Sequence, residues 1–224
     1  MKIAVITSLF GLDTKLRDPL IKFEGVDYIA FVEKKHSNCV VWDQRIALNF
    51  TLDERFNGRR NAKIYKVLPH LFLPEYDYWF WMDSTHDVVT DPKKIIKNYL
   101  SDSDIALWKH TDRDCAYEEA RIINQLNYDF KDLVDNQVKY YESVGYPKNN
   151  GLYELPASIR KNTERIKILN LRWWEQICRY SSRDQISMPF VLWKTGITPT
   201  TLPGYANGGL NANPLIPQVR YKGQ

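Results

Sequence analysis

The sequence predicts an α/β sandwich with a mostly parallel central sheet, and three observations predict it. Short β-branched or aromatic runs alternate with segments of helical period. One of those runs, DYWFWMD (77–83), is apolar without alternation, which suits a strand covered on both faces. And 224 residues with 44% hydrophobic and 26% charged content suffice for one large domain with its own core.

The elements follow in order. KIAVITSLF (2–10) reads as a central strand that ends before Gly11, and VDYIAFVEK (26–34) as a second strand. A short helical or irregular crossover near Asp18 to Phe23 joins them. GRRNAKIYKVLPHLFLP (58–74) is helical up to Leu68, where Pro69 and Pro74 interrupt it. Arg59, Lys63 and Lys66 share a face of that helix, either as solvated charge or as phosphate contacts. After the aromatic strand, Asp91-Pro92 marks a helix start, with Asp91 as N-cap and Pro92 in the first helical position. DIALWKH (104–110) is the next strand. CAYEEARIINQLN (115–127) and DLVDNQVKYYESVGYP (132–147) are helical, GLYELPASIRKN (151–162) is a strand with an irregular start, and NLRWWEQICRY (170–180) is a helix. Trp173 and Trp174 point about 100° apart on that helix, so one is core and the other free to stack or pack. SRDQISMPFVLWKTG (182–196) begins as a turn or helix. PGYANGGLNANPLIP (203–217) reads as a lid or a loose end. There is no internal repeat and no low-complexity tract.

Bulk properties exclude some classes. A net charge of +4, from 31 basic and 27 acidic residues, lacks the dense basic stripe of a dedicated nucleic-acid binder and permits an anionic small ligand. Cys39, Cys115 and Cys178 form no C-x-x-C pair, and an odd count suits a reducing compartment. The apolar start is too short for a signal peptide, and no stretch reaches the ~18 apolar residues of a membrane helix. The expected setting is cytoplasmic.

Function centres on YDYWFWMDSTHDVVTDP (76–92). Asp83 falls at the carboxyl end of a central strand, where open α/β sheets bind ligands. A carboxylate on a rigid strand end can hold Mg²⁺ or Mn²⁺ against phosphates, with Thr85 or Asp87 completing the site. Equally, Asp83 and Ser84 could cap a turn and Asp87 be a solvated loop residue.

The stretch NAKIYKVLPHLFLPEYDYWFWMDSTHDVVTDP resembles the signature of the TOD1/MUCI70 glycosyltransferase-like family, also called DUF616. A basic, proline-punctuated segment (Asn61, Lys63, Lys66, Leu68, Pro69, His70, Pro74) runs into Trp81-x-Asp83 and then Asp91-Pro92. His110, Arg113, Asp114, Tyr117 and Glu118 follow, then Gly151 to Glu154 and Ile159-Arg160. Trp173-Trp174-Glu175 with Ser182-Arg183-Asp184-Gln185 comes last. The similarity covers about residues 60 to 195.

The resemblance implies a GT-A-like, Rossmann-type α/β/α sandwich. It implies a nucleotide-binding half at about 1–110, a sugar and acceptor half at about 111–200 and a flexible tail at 203–224. It implies transfer of a sugar from a nucleotide-sugar donor, such as a UDP-sugar, to an acceptor hydroxyl, with Mn²⁺ or Mg²⁺ as cofactor. Asp83 would be the metal or ribose ligand and Thr85 its lesser partner. Asp184 would sit by the transferred sugar, orienting hydroxyls or acting as base. Lys63, Lys66 and Arg183 would balance the diphosphate, with His110 and Thr7 completing the donor-binding set. The late His that serves many A-type transferases as a metal ligand has no counterpart, since the histidines are His36, His70, His86 and His110. That leaves Lys and Arg as the alternative means of neutralisation. The acceptor stays open between a glycan, a lipid-linked sugar, a protein and a modified DNA base. Two other functions compete: a non-catalytic carbohydrate-binding module, suggested by 13% aromatic residues, and a metal-dependent phosphohydrolase built on Asp83, Asp87 and Asp91.

Overall fold

The computed structural model describes residues 1–10, 15–50 and 57–219. Gly11 and residues 220–224 of the expected tail lie outside them. Among the described residues the strands are β1 (Ile3–Leu9), β2 (Asp27–Val32), β3 (Asp43–Ile46), β4 (Tyr78–Met82), β5 (Ile105–Lys109), β6 (Tyr153–Lys161) and β7 (Thr200–Thr201). The helices are α1 (Asn57–Val67), α2 (Pro69–Phe72), α3 (Pro92–Tyr99), α4 (Ala116–Gln125), α5 (Lys131–Ser143), α6 (Glu164–Arg179) and α7 (Asp184–Thr195).

The strands form one sheet in the order β3-β2-β1-β4-β6-β5-β7. β1, β2, β3 and β4 are mutually parallel. β6 runs antiparallel to both its neighbours, and β7 is parallel to β5. The order turns outward in opposite directions from the β1/β4 pair, which is the kind of switch point where α/β sheets leave a crevice.

Strand alternation divides the core into two layers. Trp79 and Trp81 of β4 face one side with Ile6, Ile29, Phe31 and Leu107, and pack on Tyr65, Trp173 and Phe190 from the helices. Phe80 and Met82 face the other side with Val5, Ala30, Ala106 and Ile159, under Ile95 and Ile96 of α3 and Leu215 and Ile216 of the last segment. The aromatic run is thus buried on both faces, as its composition demands. Each fully buried aromatic or branched side chain contributes ~1.5–3 kcal/mol by leaving water.

Local signals work as expected at several joints. Asp91 accepts a hydrogen bond from the Lys93 amide at 2.9 Å and caps α3, with Pro92 in its first turn. α6 differs: it begins at Glu164, six residues before the expected start at Asn170, because Thr163 caps it through the Ile166 amide. Trp173 is wholly buried, whereas Trp174 packs edge-on against Phe50 at 5.2 Å. The segment expected as a lid or loose end is packed down over 203–219: Ala206, Asn213, Leu215 and Ile216 are buried. Its amides and carbonyls pair with the loop after β4, through Asp87 N to Pro217 O, Val89 N to Leu215 O and Val219 N to Thr85 O. Among the described residues no helix is long and apolar enough to cross a membrane.

Candidate active site

Asp83 leaves β4 where the sheet stops. Its amide donates to Pro156 O at 2.7 Å, so β6 holds the backbone while the side chain remains exposed. The Trp81 indole donates to Asp83 Oδ1 at 3.0 Å. Rotation of the carboxylate is therefore restrained from the strand itself.

Across from it, α1 presents Lys63 and Lys66 one turn apart. Both ammonium groups reach the same atom of Asp184, the first residue of α7: Lys63 Nζ lies 2.9 Å and Lys66 Nζ 2.5 Å from Oδ2. A carboxylate in the first turn also complements the helix dipole. Lys66 additionally donates to Leu155 O at 2.5 Å and stands 5.7 Å from the Trp81 ring centroid. Behind it, Arg160 of β6 donates to the carbonyls of Lys66 and Val67, occupying the C-terminal end of α1. Its other partner is Asn170 Oδ1 at 2.5 Å. This buried arginine thus fixes the turn that carries Lys66.

Burial alone would raise the Asp184 carboxyl, but the two lysine charges overturn that and hold it well below the usual carboxylate range. Burial pushes the Lys63 ammonium down, against the pull of Asp184 and with a smaller push from Lys66. Asp184 and Lys66 are buried, at 7% and 3% exposure, and Lys63 is partly buried. A solvated charged face is therefore the wrong description of Lys63 and Lys66.

These side chains line one cleft of about 510 Å³ together with Thr85, His86, Glu154, Arg183 and Gln185, and with Asn207 and Gln218 from the last segment. Asp83 and Asp184, about a hundred residues apart in sequence, therefore open onto the same space. Arg183 precedes α7 and lies over the Tyr128 ring at 5.4 Å. Thr85 Oγ1 is 3.0 Å from His86 Nδ1, whose Nε2 contacts Ala206 O at 3.1 Å, which joins the Asp83 loop to the last segment.

Two expected site residues stand elsewhere. Thr7 is buried within β1, and its hydroxyl has no hydrogen-bond partner among the described residues. His110 directly follows β5 and is engaged by Arg113, whose Nη2 lies 2.9 Å from its Nε2. Neither lines the cleft. Asp87 is buried and accepts from the Leu20 amide, and Asp91 is the cap of α3, so three carboxylates spaced for a phosphohydrolase do not meet. Glu154, Gln185, Asn207 and Gln218 line the cleft without having been expected there. Glu154 sits in the Gly151–Glu154 block, but a single Glu in a strand carries no spacing signal of its own.

Among the described residues no group of three or more His, Cys, Asp or Glu side chains stands close enough to hold a metal ion. The donor set present is one exposed carboxylate, Asp83, beside the Thr85 hydroxyl. That fits a hard cation shared with a ligand's phosphates, which needs only one or two carboxylates from the protein. It does not fit a closed resident site.

The geometry can be set beside known proteins. A probable hexosyltransferase of Arabidopsis thaliana, MUCI70, is 27% identical over 145 residues, covering 60% of this chain and 25% of that protein. The chain thus matches about a quarter of its relative's length. The crystal structure of a glycosyltransferase involved in the glycosylation of the major capsid of PBCV-1 superposes with a TM-score of 0.51 at 8% identity, covering 99% of this chain and 95% of that one. It shares the fold, a mixed α/β architecture of the GT-A type. Residues 29–203 match the TOD1/MUCI70, glycosyltransferase-like domain, and the chain belongs to that family.

Proposed function

We propose that this protein is a nucleotide-sugar-dependent glycosyltransferase that moves a sugar, a hexose by analogy with the Arabidopsis relative, to an acceptor hydroxyl of a glycan. The observation that carries the reading is the polar cleft in which Asp83, the Lys63–Asp184–Lys66 cluster and Arg183 converge at a sheet switch point.

The chemistry asks for stabilisation of negative charge on a departing diphosphate. Lys63, Lys66 and Arg183 are the cationic groups available for it. They face three carboxylates in the same lining, Asp83, Glu154 and Asp184, so the formal charges cancel. A bound diphosphate then needs charge from elsewhere. A divalent cation, Mn²⁺ or Mg²⁺, would supply it as a Lewis acid, held by Asp83 with Thr85 beside it. Asp184 fixes both lysines through Oδ2. Held far below the ordinary carboxylate range, it is a poor proton acceptor, so its assigned role is to set the lysines and orient a sugar hydroxyl through Oδ1. A reducing, cytoplasmic setting is part of the same proposal, since an odd number of widely spaced cysteines suits it.

The test is a thermal-shift screen of UDP-, GDP-, CMP- and TDP-sugars with and without Mn²⁺. A bound donor at about 100 times its Kd adds ~2.7 kcal/mol. Stabilisation by at least one nucleotide-sugar, strengthened by Mn²⁺, is expected. A protein that binds free sugars and ignores every nucleotide would instead be a carbohydrate-binding module.

A further inference from the structure

Three carboxylates line the cleft, and their surroundings differ. Asp184 is neutralised by two lysines, and Asp83 is exposed at the strand end. Glu154 is only 8% exposed, yet among the described residues its two oxygens accept only from the Thr111 hydroxyl and the Asn207 amide nitrogen, each at 3.4 Å. Both partners are neutral and at the long limit of a hydrogen bond. Among the described residues no Lys, Arg or His forms an ion pair with it.

A carboxylate offers about four lone-pair positions and no donor. Burying one so thinly supplied by the protein costs free energy unless water or a ligand in the cleft completes the set. A phosphate cannot, because it brings more negative charge. Neighbouring hydroxyls can, since they donate without needing a counter-ion. The lining therefore offers two chemically distinct sets of groups: Lys63, Lys66 and Arg183 suit a phosphate, and Glu154 with Asn207 suits a polyhydroxylated ring.

We propose that Glu154 is the specificity-determining residue for the transferred sugar, accepting hydrogen bonds from adjacent ring hydroxyls while Asn207 donates to the same ring. This rests on the transferase reading above. Asn207 belongs to the segment packed over the Asp83 loop, so that segment supplies part of the sugar site rather than a passive cover.

The experiment compares each parent nucleotide with its sugar ester by titration calorimetry, using UDP, GDP and TDP against UDP-, GDP- and TDP-glucose and the UDP-galactose epimer, with Mn²⁺ present. Wild type is expected to bind one sugar ester more tightly than its parent nucleotide. Glu154→Ala is expected to lose that increment, about tenfold or more for a lost charge-assisted hydrogen bond, while parent-nucleotide affinity does not fall. Glu154→Gln, nearly the same shape, keeps the fold and is expected to blur the distinction between glucose and galactose esters. An unchanged sugar increment in both variants would overturn the assignment and leave the transferase reading standing, as would equal loss of parent nucleotide and ester. Failure of wild type to bind any of these nucleotides, or any nucleotide-sugar of the thermal-shift screen, would overturn both.

Discussion

Lys66 Nζ lies 2.5 Å from Asp184 Oδ2, and that same oxygen lies 2.9 Å from Lys63 Nζ, so one carboxylate on α7 restrains two ammonium groups on α1. The contact joins the two halves of the chain at the cleft. It also sets the charge of the cleft wall, since two cations and one anion leave a net positive end. Arg160 beneath α1 and the α7 N-terminus are the supports on either side.

Removing Asp184 should therefore cost more than removing either lysine. Asp184→Asn leaves the buried Lys66 and the partly buried Lys63 ammonium groups facing each other without a counter-charge, and the expected loss is ~3 kcal/mol. Lys66→Met leaves Asp184 paired to Lys63 and should cost less. Urea unfolding of both single variants and the double variant gives the coupling, expected at ~1 kcal/mol or more. Strict additivity would mean the pair seen here is not formed in solution.

Asp83 behaves in the opposite way because it is exposed and its backbone, not its side chain, is tied to β6. Asp83→Asn should change stability by no more than ~0.5 kcal/mol. The same variant should lose the Mn²⁺-dependent part of nucleotide-sugar binding. Thermal melts with and without ligand separate the two effects. Mn²⁺ enhancement that persists in Asp83→Asn would remove Asp83 from the cation site.

Acid sensitivity is expected from a histidine before it is expected from the carboxylate cluster. Arg160 donates to Asn170 Oδ1, which turns the Asn170 amide nitrogen toward His70 Nδ1 at 3.3 Å. That arrangement requires an unprotonated Nδ1. Burial, then the nearby Arg160 and Lys167 charges, hold the His70 pKa below its usual value against a weaker pull from Glu164. The unfolded chain thus binds the proton first. His70 contributes stability in full above about pH 6.5, lost as pH falls from there through the folded value. Asp184 has its pKa depressed as a carboxylate, so its contribution persists down to about pH 4 and is lost only below. Stability measured by denaturant from pH 7.5 to 5 should decline, and His70→Gln should flatten part of that slope. An identical slope in the variant would place the titration elsewhere.

Much of this architecture is legible in the residues, for identifiable reasons. β1, β2, β4 and β5 are apolar runs and α3 carries its own cap and proline, so local chemistry and tertiary context agree. β3, Asp-Gln-Arg-Ile, escapes because an edge strand with mostly polar residues shows no alternation. β7 escapes because two residues are too few for any period. At the cleft, Asp83, Lys63, Lys66, Arg183 and Asp184 are found from motif blocks. Glu154 lies in such a block but carries no spacing signal of its own, and Asn207 and Gln218 are missed because a Gly- and Asn-rich segment and its end resemble a loose end until the packing is known. Ala206, Leu215 and Ile216 are the apolar anchors that pin it, and they are spaced too irregularly to read as helix or strand.

That segment yields the sharpest mutational contrast. Gly204 has φ +76°, in the left-handed region, and a Cβ placed there would meet Ala212 O at 2.1 Å. The same carbonyl accepts the Tyr205 amide at 3.0 Å, closing the loop that carries Ala206 and Asn207. Gly204→Ala must therefore move backbone, at a cost of ~1–3 kcal/mol. At Gly209 an added Cβ would find nothing within 4 Å, so Gly209→Ala serves as the matched control and should stay within ~0.5 kcal/mol of wild type. Because Asn207 and the His86 contact to Ala206 O ride on the loop, Gly204→Ala should also weaken nucleotide-sugar binding more than binding of the parent nucleotide. Melting temperature and calorimetry on the two variants check both halves. Equal stability of Gly204→Ala and Gly209→Ala would show that the loop does not adopt this turn, and the contribution of the last segment to the cleft would go with it.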